Sequence, residues 1–163
     1  MGHDLVEKAA GKRNRNLLEK SSLFRKARGA LQRILDAPHR KPVAWPKIRH
    51  GSVNISAVSE RAGFRPNDFQ SDGAPLPKGS RLTFVADTNI SRPFKVYWQV
   101  VNTDLEAKEA RDLRGRFEEI AIEEGKLTKK ERAKYRGVHS VECFIVKDGY
   151  CIGWSGPFLV NIA

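Results

Sequence analysis

The feature that most constrains the fold is a set of short segments in which apolar and polar residues alternate. Residues 52–59 and residues 81–87 each alternate in this way. Alternation places the apolar side chains on one face of an extended strand. In residues 94–102 both faces are partly apolar, which is typical of a strand at the centre of a sheet. The chain is therefore predicted to be mainly β.

A β-hairpin is predicted near the C-terminus, because Asp148-Gly149 separates two further strand-like segments, 139–147 and 150–162. A two-residue turn places Val146 opposite Cys151 and Cys143 opposite Trp154. The two cysteine sulfurs then point to opposite faces of the hairpin, so we expect no disulfide between them. Buried free thiols are typical of a reducing compartment.

Two helices are predicted. Apolar residues recur every three or four positions between Asn16 and Ala37, which indicates an amphipathic helix that Pro38 ends. Its apolar stripe covers either the body of the protein or a neighbouring domain. A second, short helix is expected from Lys129 to Arg136, because Thr128 and Glu131 have the spacing of a capping box.

The predicted architecture is a β-sandwich of short antiparallel strands, with an N-terminal amphipathic helix and one short inserted helix. A proline-rich connector follows the first helix. It divides the chain into a basic arm with its helix, residues 1–41, and a β-rich domain, residues 42–163.

The positive charge is concentrated in the N-terminal part. Residues 1–50 contain 13 Lys/Arg and 4 Asp/Glu, whereas residues 51–163 contain 17 and 15. The arm either contacts phosphate or an acidic membrane surface, or its cations solvate the outer face of a helix. No apolar run reaches the ~20 residues of a membrane span, and no signal peptide is recognisable. We therefore expect a cytoplasmic protein that does not enter a membrane.

The sequence lacks the metal-ligand spacings and phosphate-binding motifs that are typical of enzymes. The four histidines are scattered, and the two cysteines lack the spacing of metal ligands. There is no glycine-rich phosphate loop. Neither Gly-Ser pair is followed by the Asp-x-Asp that holds magnesium in a nucleotidyltransferase. We expect no catalytic residues, no metal and no cofactor.

Polar and aromatic residues at the ends of the predicted strands form a candidate ligand site instead. Each has a structural alternative: Asn102 can begin an Asx turn, Arg114 can pair with Glu106 or Asp112, and His139 can bond a backbone carbonyl. Trp98 has the inward parity of a core residue, and aromatic residues more often fill cores than stack on ligands. The candidate ligand-binding residues are Trp98, Asn102, Arg114, Arg116, Tyr135, Arg136, His139, Trp154 and Ser155.

A longer ordered set of residues matches a known family, and it includes Trp98, Asn102, Arg114, Tyr135, His139 and Ser155 of the candidate site. The matching residues are Pro93, Tyr97, Trp98, Val100, Asn102, Glu106, Ala107, Leu113, Arg114, Gly115, Phe117, Tyr135, Gly137, His139, Val141, Glu142, Gly153, Ser155 and Phe158. On these residues the chain, from about Pro42 to the C-terminus, resembles the adenylyl/guanylyl and SMODS C-terminal sensor domain, abbreviated AGS-C. Asp104 stands where the family's turn is expected to have glycine, which predicts a less tight turn.

The resemblance implies a β-rich, non-catalytic sensor found downstream of nucleotidyltransferases and nucleotide cyclases in bacterial antiphage signalling of the CBASS type. Its expected ligand is a nucleotide or nucleic acid, and its expected partner is a nucleotidyltransferase or effector domain, in the same chain or another. The loop from Glu118 to Thr128 is expected to order on binding. Two other hypotheses stay open: a protein-interaction module that docks on a polymerase or effector domain without a small ligand, and general nucleic-acid binding through the basic arm.

Overall fold

A computed structural model describes residues 19, 25 and 28–163 of the chain. Within this part, residues 28–35 form helix α1, the C-terminal section of the predicted amphipathic helix; most of the section before it lies outside the described residues. Two antiparallel sheets form a sandwich, as predicted. The other elements, in chain order, are β1 Val53–Glu60, β2 Asn67–Phe69, β3 Arg81–Thr88, β4 Lys95–Asn102, α2 Leu105–Glu109, β5 Phe117–Ile120, β6 Leu127–Arg132, β7 Gly137–Lys147, β8 Tyr150–Trp154 and β9 Phe158–Ile162.

The first sheet has four strands in the order β2-β1-β3-β6, and the second has five, in the order β5-β4-β7-β8 with β9 also paired to β7. Residues 137–141 of β7 pair with β9, and residues 144–147 pair with β8. The central position predicted for β4 is confirmed, because β4 lies between β5 and β7.

The main core lies between the two sheets and is built from the alternating residues. Phe84 of the first sheet and Trp98 of the second are both fully buried there. Burying an aromatic side chain of this kind stabilises a fold by about 1.5–3 kcal/mol. The sequence alternation therefore identified the core-facing positions.

The predicted turn at Asp148-Gly149 is confirmed, with φ of 51° and 81° at the two residues. The pairing of Cys143 with Trp154 is wrong, because a bulge shifts the register and Trp154 pairs with Phe144 instead. The two cysteines are buried on opposite faces, Cys143 in the core between the sheets and Cys151 in a cluster on the outer face.

The helix predicted from Lys129 to Arg136 is wrong. Residues 127–132 form β6, which pairs with β3 along its length, from Leu127 opposite Ala86 to Arg132 opposite Arg81. Leu127 and Lys129 are buried while Lys130 is exposed, which is the two-residue period of a strand. Pairing with a neighbouring strand outweighed the local capping signal.

The segments on either side of Arg114 also differ from expectation. Helix α2 forms at Leu105–Glu109, outside the two predicted helices, and Glu118 lies in β5 rather than in a loop. Asp104 precedes α2 with φ −82° and ψ 155°, which is ordinary extended backbone. The absence of glycine there therefore causes no strain.

The N-terminal segment covers the outer face of the five-stranded sheet. Ile34 and Ala37 pack on Val101 and Leu159, so this part of the apolar stripe covers the body of the protein. Trp45 continues the cover further along the sheet, with its ring centroid 4.4 Å from that of Tyr97. Residues 38–50, here called the connector, then run beside β8, where the N–H groups of residues 48 and 50 donate to carbonyls of β8.

Candidate functional site

A cavity of about 140 Å³ opens between the two sheets at the end where β4 finishes and β7 begins. Its walls are apolar and come from strands of both sheets, and its mouth is polar. The apolar lining residues are Leu82, Phe84, Val100, Val141, Val160 and Ile162; the polar ones are Asn102, Asp112, Arg114, Glu131, Arg132, Lys134, Tyr135 and His139.

Asn102 ends β4 opposite His139 of β7, and its side chain organises the mouth of the cavity. Its Oδ1 accepts the backbone N–H of Arg114 at 2.7 Å, and its Nδ2 donates to the carbonyl of Asp112 at 2.9 Å. These bonds satisfy the amide, which is 2% exposed. Asn102 thus fixes the segment that follows α2.

The guanidinium of Arg114 joins the edge strands of the two sheets. Its Nη1 lies 2.5 Å from an oxygen of Glu131 in β6, and its Nη2 lies 2.5 Å from an oxygen of Glu118 in β5. Lys129 also pairs with both carboxylates. Burial alone would lower the pKa of Arg114, but its bonds to Glu131 and Glu118 raise the pKa above its usual value. The predicted alternative of an ion pair is thus realised, with partners other than Glu106 and Asp112.

These four charges, two positive and two negative, also close the open side of the sandwich. Lys129 and Glu131 occupy inward-facing positions of the edge strand β6, opposite Phe84 and Leu82. Inward-pointing charges on an edge strand oppose pairing with another chain. The buried Lys129 and the half-buried Arg114 are held by their carboxylate partners, which offsets their loss of hydration.

Tyr135 and Asp112 form a second polar pair at the mouth. The phenol of Tyr135 is buried and donates to Asp112 Oδ2 at 2.8 Å, and Lys134 donates to the same oxygen at 2.7 Å. The bond from Lys134, followed by that from Tyr135, holds the pKa of Asp112 below its usual value. Asp112 therefore stays ionised.

His139 is buried beside Asp104, which packs on Gly137. The His139 Nε2 lies 3.0 Å from the carbonyl oxygen of Tyr135 and 3.5 Å from Asp104 Oδ2. A Cβ added to Gly137 would lie 1.9 Å from Asp104 Cγ, and the φ of 122° at Gly137 is one that other residues rarely adopt, so glycine is favoured at this position. Burial lowers the pKa of His139, although Asp104 opposes the shift, and burial raises the pKa of Asp104.

The neutral form of His139 has a defined hydrogen-bonding pattern. Its Nε2 must carry the hydrogen, because a carbonyl oxygen can only accept. Its Nδ1 is then an acceptor, and no donor of the described chain bonds to it. The predicted alternative for His139, a bond to a backbone carbonyl, is thus present on one ring nitrogen and leaves the other free.

The other candidate residues lie outside the cavity. Arg116 and Arg136 are exposed, and Trp98 is a core residue between the sheets. Trp154 lies on the outer face, where Lys47 and Arg49 approach its ring centre to 4.0 and 3.9 Å. The Ser155 hydroxyl accepts the N–H of Cys143 and donates to the carbonyl of Gly156. For these five residues a role in ligand binding stays a prediction.

Several cavity residues escaped the sequence reasoning. Glu131 was assigned to a helix cap, so its inward position on β6 was hidden. Asp112 was considered only as a partner of Arg114. The apolar walls were identified as core, and nothing in the sequence marks where the core stops short of filling the space between the sheets.

The connector lies directly behind the site. His39 Nε2 donates to the carbonyl of Asn102 at 2.7 Å, and the N–H of Lys41 donates to the carbonyl of Gly115 at 2.9 Å. The fully buried Gln99 donates to the carbonyls of both Lys41 and Gly115, at 2.8 and 2.7 Å. The residues that shape the mouth are thus bonded to the N-terminal segment.

A buried ion pair adds to this attachment. Arg40 Nη2 lies 3.2 Å from an oxygen of Glu142, whose side chain is 8% exposed. Burial raises the pKa of Glu142 although Arg40 opposes the shift. Removing Arg40 would leave a buried carboxylate without its partner.

Two further findings concern metal and membrane. Among the described residues, no cluster of three or more His, Cys, Asp or Glu side chains is arranged to hold a metal ion. No helix in the described part of the chain is long and apolar enough to span a membrane.

Comparison with known proteins finds a family whose model matches most of the chain. The model of the family described as "Adenylyl/Guanylyl and SMODS C-terminal sensor domain" matches residues 35–163, from the end of α1 to the last residue. A search of curated proteins returned no match. The match includes both sheets, the cavity and the connector. The chain therefore belongs to the adenylyl/guanylyl and SMODS C-terminal sensor domain family.

Proposed function

We propose that this chain is the ligand-sensing part of a bacterial nucleotidyltransferase or nucleotide-cyclase signalling system of the antiphage type, and that a nucleotide-like ligand binds in the cavity between the sheets. The family is one of sensor domains rather than catalytic domains. The cavity is concave, apolar inside and polar at its mouth, as ligand sites generally are. The proposed sensor acts by binding its ligand, without a covalent step.

The observation that carries the proposal is the double role of Asn102. Its side chain lines the cavity, and its backbone carbonyl accepts the bond from His39 in the connector. A ligand that draws the Asn102 amide away from Arg114 and Asp112 changes contacts on both sides of the sheet. No intermediate residue separates the ligand site from the N-terminal segment.

Gly115 supplies a second route for the same signal. A Cβ on Gly115 would lie 2.4 Å from the carbonyl oxygen of His39, so the two backbones are in direct contact. A shift of the 112–115 segment therefore has to move the connector as well. In a C-terminal sensor the nucleotidyltransferase or effector domain is reached through the N-terminal side, and the connector and α1 lie on that path.

Arg114 has a supporting role in this proposal. Its guanidinium is engaged by two carboxylates, so a ligand phosphate would have to displace Glu131 and Glu118 to reach it. Arg114 keeps the edges of the two sheets in register and preserves the shape of the mouth. Arg116 and Arg136 are exposed and free of this competition, so a phosphate contact by either remains part of the proposal.

Calorimetric titration of the purified chain tests the proposal. The panel contains mononucleotides, linear oligonucleotides, and cyclic dinucleotides of purine and of pyrimidine composition. We expect saturable binding by at least one of them, weakened at least tenfold in His139→Gln and unchanged in Arg49→Gln, a surface control on the outer face. Failure of every compound to bind would refute the proposal.

Hydrogen exchange tests the route of the signal. The amide of Lys41 is expected to change its protection when the ligand binds, because it donates to the carbonyl of Gly115 beside the mouth of the cavity. Residues 67–69 in β2, on the far sheet, serve as the internal control. Binding that leaves the Lys41 amide unchanged would argue against transmission through the connector.

A second candidate function is docking on a polymerase or effector domain without a small ligand. Three large apolar side chains favour it, since Leu35, Leu105 and Leu113 are 41%, 68% and 39% exposed. Leu105→Asp combined with Leu113→Asp would abolish binding to an upstream domain while leaving nucleotide titrations unchanged. General nucleic-acid binding through the basic arm instead predicts a steep loss of affinity with salt.

A further inference from the structure

The cavity between the sheets has room for one flat ring and not for a whole nucleotide. Its volume is about 140 Å³. A dry protein cavity of roughly 150 Å³ holds one benzene molecule, whereas ligand sites that enclose a whole drug-sized molecule are about 300–1,000 Å³. A single six-membered heterocycle matches this space. The second ring of a purine, a sugar or a phosphate has to remain outside.

The walls suit the faces of such a ring. Leu82 and Phe84 come from the four-stranded sheet, and Val100 and Val141 come from the five-stranded sheet. A flat ring inserted between them replaces water with apolar contact on both faces.

The polar groups at the mouth suit a ring that carries N–H donors. The Nδ1 of His139 is an acceptor without a donor in the described part of the chain. Asp112 uses Oδ2 for its bonds from Lys134 and Tyr135, which leaves Oδ1 to accept. An exocyclic amino group or a ring N–H can donate to these two atoms.

The small volume of the cavity leaves a phosphate at the rim, where a cation can meet it. Arg114 and Lys134 border the cavity but are bonded to the carboxylates of Glu131 and Asp112. Arg132 also borders the cavity, is exposed, and has no carboxylate within ion-pair distance among the residues that the structure describes. A phosphate attached to the buried ring can reach Arg132 without entering.

Resting on the proposed function, we propose that this site recognises one pyrimidine-sized heterocycle with N–H donors, such as cytosine or uracil. The ring enters between the sheets, His139 and Asp112 accept its hydrogen bonds, and the sugar and phosphate stay at the mouth near Arg132. Affinity then depends on the base first and on the phosphate only weakly.

Calorimetry on the full chain with matched ligands tests the base preference. We expect the pyrimidine nucleotides CMP or UMP to bind at least tenfold more tightly than AMP and GMP, and inorganic phosphate alone not to bind. Arg132→Gln should weaken the nucleotide about two- to fivefold, as expected for an exposed charge pair, and leave the nucleoside unchanged. Arg65→Gln, an exposed arginine that does not line the cavity and has no part in the proposed site, is the matched control.

The location of binding is tested by NMR on the ¹⁵N-labelled chain. CMP or UMP should shift the amide signals of Val100, His139 and Val160 and leave Trp154 unchanged. Purine ligands that bind as tightly as pyrimidines, or phosphate that binds alone, would overturn the pyrimidine inference and leave the sensor proposal standing. If no nucleotide, linear or cyclic, binds at all, the proposed function itself fails.

Discussion

Because Gly115 contacts the connector, we predict that alanine lowers the stability of the protein at Gly115 and raises it at Gly29. At Gly115 a Cβ would lie 2.4 Å from the His39 carbonyl oxygen and 2.8 Å from the Arg40 Cα, and these are backbone atoms that cannot rotate away. At Gly29 in α1 the nearest heavy atom is Arg33 Nη1 at 3.8 Å, an ordinary contact. The same substitution to alanine therefore meets a backbone at Gly115 and only an ordinary van der Waals contact at Gly29.

The magnitude follows from the bonds that the displaced connector loses. Gly115→Ala separates the Lys41 N–H from the Gly115 carbonyl, and it disturbs both bonds of the fully buried Gln99. A lost neutral hydrogen bond costs about 0.5–1.5 kcal/mol and a buried group left unsatisfied about 1–3 kcal/mol. We therefore expect the free energy of unfolding to fall by about 3–5 kcal/mol. Gly29→Ala should raise it by about 0.5–1 kcal/mol, because alanine is the better helix former.

Chemical and thermal denaturation of the two variants provide the assay. For a chain of this size about 3–5 kcal/mol corresponds to a Tm that is roughly 6–20 °C lower. Limited proteolysis between residues 36 and 50 then shows whether the connector has detached while the sandwich persists. A Gly115→Ala variant as stable as the wild type would refute the close contact and with it the second route from the cavity to the N-terminal segment.

Three further predictions concern charge and thiols. Arg114→Met should lower the free energy of unfolding by about 1–3 kcal/mol, because Glu118 and Glu131 are then left with Lys129 as their shared cation. Arg116→Met, on an exposed side chain, should change it by less than about 0.5 kcal/mol. Equal effects of the two variants in urea denaturation would contradict this role of Arg114. Because burial lowers the pKa of His139, the unfolded chain binds its proton more tightly, so stability should fall as the pH drops below the ordinary value of 6.5. His139→Gln should lose less stability than the wild type between pH 7.5 and 5.5. Burial raises the pKa of Cys143 to about 12 and also raises the pKa of Cys151. Neither thiol of the native protein should therefore react with a thiol reagent at pH 8, and both should react in denaturant. Rapid labelling of the native protein would contradict this prediction.

Much of the sandwich could be predicted because its strands carry their own pattern. The alternation in β1, β3 and β4 and the turn at Asp148-Gly149 are local patterns, so they can be recognised without knowing which strands pair. Strand β6 could not be predicted, because its Thr128 and Glu131 satisfy the rule for a helix cap equally well. Its pairing with β3 is a long-range interaction, and such interactions decide short ambiguous segments.

The candidate site was predictable only in part for a related reason. Asn102, Arg114, Tyr135 and His139 were recognised as an unusual polar set, and they do meet at one end of the sandwich. Which groups remain free there depends on partners distant in the chain, as the two carboxylates that engage Arg114 illustrate. Ion pairs of this kind leave no spacing in the sequence by which they could be recognised.

The sequence by itself determined that the chain is a β-sandwich with a helix before it, that β4 is central, and that the polar set follows the ends of its strands. These properties depend on the period of a strand and on turn chemistry, both of which are local. The tertiary structure alone decided that Arg114 is neutralised and that His139 keeps one free nitrogen. It also decided that the connector lies against Gly115, because these properties depend on which distant backbones and charges come within a few ångströms of one another.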